Sequence, residues 1–393
     1  MNPNSWPAIG AIQVGWQRDE YPAGSRREAL RHRGPYSAAL VSKIATEKLT
    51  LTPGLLARAE DAAIELARFD AEAGQMVAPF ASMLLRSEAA SSSQIENLTS
   101  SASSVLKSEF GLGETPNAYL IVSNQRAMEA AIAASSDISL ESILLMHQTL
   151  MKKADPENAG QLRAQPIWIG GSNLGPHGAD YIGPESENVP DLMQDLVAFC
   201  RRLDLPAIAQ IAIAHAQFET IHPFTDGNGR TGRALVQSLL FGLGVTSNVT
   251  VPVSAGLLRD TARYFEALTS YRAGSVEPIV NIFADAAHAA IENGRQLATE
   301  LQNARLGWNT RLNVRADSGA KQLLERLLEE PVISSGRVVA MLGTTPANAQ
   351  LAIDKLVEVG ILRQLGSGQR NRIWQATDVV VALDSFAERT KRK

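Results

Sequence analysis

A mainly α-helical fold, with one β-hairpin flap on a helical body and a winged helix-turn-helix at the C-terminus, is what this 393-residue sequence predicts. Three observations carry the prediction. Apolar residues recur at three- and four-residue spacing over most of residues 53–310, the rhythm of helices that bury one face. That rhythm breaks over 159–190, where the β-prone runs PIWI and DYI flank a turn rich in Gly, Asn and Pro. From residue 316 onward the texture changes again, to three short helical stretches and then two strand-like runs around a glycine turn.

The elements follow in order. Residues 1–50 scatter proline, glycine and basic residues and read as an extended arm with short helices. PGLLARAEDAAIELARFDAEAG opens on a proline, which a first helical turn tolerates. After MVAPFASMLLRSEAASSSQIEN comes SLESILLMHQTLMKKA, with Ser139 as N-cap and Glu141 suited to the positive end of the helix dipole. Ser142 stands where a capping box has Glu or Gln, so no full box is expected. Beyond the flap, helices resume with DLMQDLVAFCRRL and PAIAQIAIAHAQFET and continue to residue 308. KQLLERLLEEP, ISSGRVVAMLG and TTPANAQLAIDKLVEVGIL are the short helices of the tail, and RQLGSGQRNRIWQA supplies its strands.

Composition sets the outer bounds. Apolar residues make up 45%, charged residues 20% and aromatics 5%, a soluble globular balance with room for two or three domains. No run approaches the roughly 20 apolar residues of a membrane span, and the N-terminus lacks a basic-then-apolar signal, so a cytoplasmic location is expected. A net charge of −4 gives no global reason for nucleic-acid binding. The single cysteine, Cys200, lies in an apolar helical pattern; it excludes an intramolecular disulfide and reads as a small core residue.

The chemistry concentrates in HPFTDGNGRTGR, residues 222–233. Gly227, Asn228 and Gly229 between a loop and a helix let successive backbone N–H groups point outward as an anion-binding nest. Arg230 and Arg233, three residues apart, share a face at the positive end of the helix dipole and repel each other unless an anion sits there. Two planar forks with backbone donors suit a polyphosphate. Asp226 becomes sensible beside phosphates if it holds Mg²⁺, and His222 has the side chain suited to taking a proton from an attacking hydroxyl. Each residue also has a plain reading: a structural histidine, a turn-forming aspartate, arginines on a solvated face. Those readings leave their conjunction within twelve residues unexplained.

This stretch resembles the Fic-domain signature H-x-F-x-[D/E]-G-N-G-R-x-x-R at every defined position, and the resemblance extends over residues 30–310. It implies a Fic-type helical bundle with its flap, and transfer of AMP from ATP to a Ser, Thr or Tyr hydroxyl of a protein, the chain itself included, with Mg²⁺ and release of pyrophosphate. His222 would then be the general base and Asp226 the metal ligand. Gly227, Asn228, Gly229, Arg230, Thr231, Gly232 and Arg233 would form the phosphate site, with the two arginines on the β- and γ-phosphates. The flap at Tyr181 and Ile182 would close over the nucleotide and align a target strand, and Tyr264 would contact the nucleoside.

A second stretch, Ser92-Ser-Gln-Ile-Glu96-Asn97, resembles the family's inhibitory pattern [S/T]-x-x-x-E-[G/N]. The resemblance implies that Glu96 pairs with Arg233 in place of the γ-phosphate; the plain reading is an exposed helical carboxylate. Three regions follow: residues 1–135, carrying an inhibitory helix at about 86–98; a catalytic core at 136–310; and the winged helix at 316–393. The recognition-helix stretch of the winged module offers one basic residue, Lys355, with Arg363, Arg370 and Arg372 around the wing. Protein docking therefore ranks ahead of DNA contact, which depends on neutralising phosphates. A homodimer is left open. Two other functions compete with AMP transfer: AMP removal by the same residues, and a winged-helix regulator that senses nucleotide without turnover.

Overall fold

The computed structural model describes residues 6–16, 32–74, 79–172, 174–366, 368 and 371–391. Its residues form two compact units. The first takes residues 1–63, 127–245 and 262–284; the second takes 64–126, 246–261 and 285–393.

The first unit starts with an antiparallel pair, β1 (Gly10–Val14) and β2 (Tyr36–Leu40), in register Gly10 to Leu40. Here the structure differs from the expected arm with short helices. Trp16 sets its ring edge-on to Tyr36 and to Trp168, so long-range aromatic packing holds the strand pair. Residues 17–31 lie outside the described part.

The helices of this unit include α5 (Leu140–Met151), α6 (Val189–Cys200), α7 (Ala207–Ile221), α8 (Asn228–Gly242) and, from Ala262 onward, α10 (Thr261–Arg272). Every residue of α7 from Ile208 to Ile221 is buried, which makes it the central helix. Its alanines let neighbours approach closely, and its buried polar groups find partners: Gln210 Nε2 donates to the carbonyls of Phe199 and Cys200 at the end of α6. Burial pushes the Cys200 thiol up to about 12, so it is inert core. At the start of α5, Ser139 accepts the Ser142 N–H, and the Ser142 hydroxyl accepts the Ser139 N–H at 2.9 Å. The capping box therefore closes with serine, contrary to expectation: a hydroxyl oxygen reaches the N–H that Glu or Gln takes elsewhere. The flap is a minimal hairpin, β3 (Trp168–Ile169) against β4 (Tyr181–Ile182).

The second unit contains α2 (Pro79–Ile95), α3 (Ala102–Glu109), α9 (Val253–Leu258) and the C-terminal module. Buried Asp70 gathers the N–H groups of Ser247, Asn248 and Val249. Burial pushes its pKa up, but these bonds outweigh that and hold it below the usual value. Glu88 accepts both the N–H and the hydroxyl of Ser254 at the start of α9. The module runs α12 (Gly319–Arg326), β5 (Val332–Ser334), α13 (Ser335–Leu342), α14 (Pro346–Glu358), β6 (Leu362–Leu365) and β7 (Ile373–Ala376), with sheet order β5-β7-β6. That is the element order of a winged helix-turn-helix. Strand β5 and a terminal helix α15 (Thr377–Thr390) extend the sequence-based reading. Arg370, one of the wing arginines, lies outside the described residues. No helix among the described residues is long and apolar enough to cross a membrane.

Candidate active site

The site forms where the C-terminus of α7 meets the N-terminus of α8. His222 caps α7 in the left-handed region, at φ 49°, and its N–H donates to Phe218 O. A side chain in that conformation is held only where the surroundings enforce it. Its Nδ1 faces the Glu219 carbonyl at 3.4 Å and the Glu219 carboxylate at 3.8 Å. Those acceptors favour the proton on Nδ1 and leave Nε2 as the basic nitrogen.

The loop from 223 to 227 is clamped by Asn228 and His147. The Asn228 side chain accepts the Phe224 N–H at 2.9 Å and donates to the Phe224 carbonyl at 2.8 Å. Phe224 is buried and stacks on His147 with ring centroids 3.7 Å apart. The Gly160 N–H donates to His147 Nδ1, which leaves Nε2 to donate to the Asp226 carbonyl; both distances are 3.0 Å. Burial lowers the His147 pKa to about 4, so this bridge is neutral.

Gly227 begins α8 at φ 75°, and no side chain caps the helix there. The Asp226 carboxylate accepts the Gly227 N–H at 2.6 Å yet is 69% exposed, with its other oxygen 3.7 Å from Arg230. Arg230 and Arg233 are 5% and 2% exposed, which overturns the solvated-face reading. Two guanidinium groups so far from water require negative partners. Gly232 faces α7: a Cβ there would lie 2.8 Å from the Glu219 carboxylate and 2.9 Å from the Phe218 ring. Thr231 is fully buried.

The flap stem reaches the same place from the other side. Arg163 is buried and donates to the carbonyls of His222 (2.8 Å), Pro184 (2.7 Å), Gln165 (2.9 Å) and Ile221 (3.4 Å). Burial lowers its pKa to about 10, which leaves it charged at neutral pH. Tyr181 donates its hydroxyl to the Thr220 carbonyl, beneath the Arg272 guanidinium at 3.7 Å. Tyr264 is buried, with its hydroxyl 2.7 Å from His215 Nε2. Each tyrosine hydroxyl thus answers a polar group within the unit. Ile182 is half-buried and pairs with Trp168.

In the second unit, Ser92 is buried in the last turns of α2, and Glu96 is exposed in the turn that ends it. Asn97 is left-handed, at φ 61°. Its N–H donates to Gln94 O and the Leu98 N–H to Ser93 O, a Schellman termination. Asparagine, like glycine, tolerates that left-handed backbone.

Sequence reasoning found the motif and missed His147, Arg163 and Glu219, none of which carries a local signal. Among the described residues no group of three or more His, Cys, Asp or Glu could hold a metal by itself. The exposed Asp226 carboxylate alone fits Mg²⁺ of the kind that takes its other ligands from substrate phosphates and water.

Comparison with known proteins places this arrangement. Residues 137–240 match the Fic/DOC family and residues 56–133 the Fic/DOC family N-terminal region. Residues 137–240 thus match a Fic domain. Over 156 residues it is 31% identical to protein adenylyltransferase fic-1 of Caenorhabditis elegans, covering 40% of this chain and 28% of that protein. Over 171 residues it is 28% identical to protein adenylyltransferase Fic of Drosophila melanogaster, covering 42% and 31%. The chain thus spans about a third or less of the length of these curated relatives. A crystal structure of a Fic family protein from Desulfovibrio desulfuricans G20 shares the fold, with a TM-score of 0.53 and 20% identity over 83% of this chain and 97% of that one.

Proposed function

We propose that this Fic-domain chain transfers AMP from ATP to a hydroxyl of a protein and that Glu96 restrains it. The observation that carries the reading is the N-terminus of α8: a left-handed glycine with no side-chain cap, and two buried arginines in the first turn and a half. Gly227, Asn228 and Gly229 line the α- and β-phosphates, and the forks of Arg230 and Arg233 take the outer phosphates. Asp226 holds Mg²⁺, which neutralises charge on the phosphates when bound. The target hydroxyl oxygen bonds to the α-phosphorus as the bond to the α–β bridging oxygen breaks; the hydroxyl proton passes to His222 Nε2 and pyrophosphate leaves.

Glu96 competes for Arg233 and so denies the γ-phosphate its productive seat; the Arg233 guanidinium is buried, so a carboxylate that reaches its fork meets little competition from water. The catalytic core is assigned to residues 136–310, the restraint to 1–135 and an accessory role to 316–393. Protein docking suits that last module better than DNA: Lys355 sits 2.9 Å from Glu358, while Leu351 on the same helix is 67% exposed.

The test uses ATP labelled at the α-phosphate. The Glu96→Gly protein acquires covalent label faster than wild type, and His222→Ala in that background acquires none. Equal labelling of wild type and Glu96→Gly would overturn the restraint, and label surviving His222→Ala would overturn the assigned base. Loss of AMP from a pre-labelled protein would instead favour AMP removal by water at the same residues.

A further inference from the structure

We propose that Arg163 is a positioning residue that fixes the His222 backbone and ties it to both ends of the flap, so that flap and base form one mechanical piece. Its catalytic half rests on the AMP-transfer reading. The last carbonyls of a helix have no partners within it, and at α7 they are answered by side chains from the flap stem and α10. Glu219 O accepts from Arg272 Nη2 (3.4 Å), Thr220 O from the Tyr181 hydroxyl, and Ile221 O and His222 O from Arg163. Pro223 O accepts the Arg163 N–H at 2.9 Å.

The same guanidinium holds Gln165, three residues before β3, and Pro184, two residues after β4. One planar fork therefore joins three chain segments: the two flap ends and the base-bearing turn. Gly183 makes room for it, since a Cβ there would lie 3.1 Å from Arg163 Nη2. The fork also places positive charge at the negative end of the α7 dipole. His222 needs such an external hold, because its left-handed backbone is not self-sustaining in a residue with a side chain. A target strand that docks on the flap would in this way settle the base that acts on it.

Hydrogen exchange on the full nucleotide-free chain tests the coupling without any activity. In Arg163→Gln, exchange over 220–224 and over the flap ends 165–167 and 183–185 accelerates together, about tenfold for the loss of one net hydrogen bond, while α8 is unchanged. In Arg163→Lys the charge remains but the fork is lost, and both segments accelerate by a smaller factor. In the Glu96→Gly background, Arg163→Gln lowers kcat by about a hundredfold, the scale of a small misplacement of a reacting group, with KM for ATP nearly unchanged; Arg163→Lys recovers part of kcat. Acceleration at the flap ends without change at 220–224 overturns the proposal, as does an unchanged kcat in an active parent. If Arg163→Gln does not fold, Arg163→Lys decides, and parent-like exchange in both segments overturns the proposal. A Glu96→Gly parent that transfers no AMP defeats the functional reading alone and leaves the exchange result to judge the coupling.

Discussion

The two helix ends that meet at HPFTDGNGRTGR are finished in opposite ways. At the C-terminus of α7, carbonyls from Glu219 to Pro223 all accept from elsewhere in the protein. At the N-terminus of α8, Gly227 provides no side-chain cap. The contrast is local design, since α12, α13 and α14 each begin on a hydroxyl cap, at Ser318, Ser334 and Thr345. A helix end closed by protein donors holds a residue in place, whereas one left to glycine, with buried arginines behind it, offers its N–H groups to an anion.

The largest effect that this contrast predicts is at the base. His222→Ala in the Glu96→Gly background loses detectable AMP incorporation, a fall in rate of at least the about 10²–10⁴ that a general base contributes. Next comes the uncapped end. Pyrophosphate at about 100 times its Kd stabilises the Glu96→Gly protein against denaturant by about 2.7 kcal/mol, and gives no such gain once Arg230 and Arg233 are both replaced by Gln.

Acid should loosen the loop between the two ends. The His147 pKa is lowered from 6.5 to about 4, so between those values the unfolded chain binds the proton that the folded chain refuses. Stability is complete above about pH 6.5 and declines towards pH 4, by up to about 3 kcal/mol. His147→Gln, whose amide can both accept from Gly160 and donate to Asp226, flattens that part of the denaturation profile. Gly232→Ala then costs about 1–3 kcal/mol by overpacking against α7, measured by thermal unfolding. Smallest is the capped control, where Thr345→Ala costs about 1 kcal/mol irrespective of pyrophosphate.

These ends also mark what the sequence makes legible. Gly227, the arginine pair, Asp226 and His222 lie within one turn and one loop, so their spacing alone specifies an anion site. The helical body is legible for the same reason, since the period of apolar residues is local. Arg163 and His147 are not, because each acts on a backbone more than fifty residues away and looks like any other Arg or His in the chain. Arg230 and Arg233 lie on one face as their spacing requires, but their burial depends on the elements packed around α8. Tyr181 and Tyr264 are aromatic residues near the right segments whose hydroxyls turn inward to Thr220 O and His215, a preference set by buried polar groups that periodicity does not encode. Strands of two residues, as in β3 and β4, lie at the limit of any pattern, and the flap is legible only because the β-prone runs PIWI and DYI flank a turn rich in Gly, Asn and Pro.

The most direct test of the central claim, that the uncapped end of α8 seats ATP for attack at the α-phosphorus beside His222, compares two labels. The Glu96→Gly protein is incubated with Mg²⁺ and ATP carrying label at either the α- or the γ-phosphate, then denatured. Covalent label is expected from the α-position only, and none from either position in the His222→Ala counterpart. Label transferred from the γ-phosphate, or α-label that persists without His222, would contradict the account.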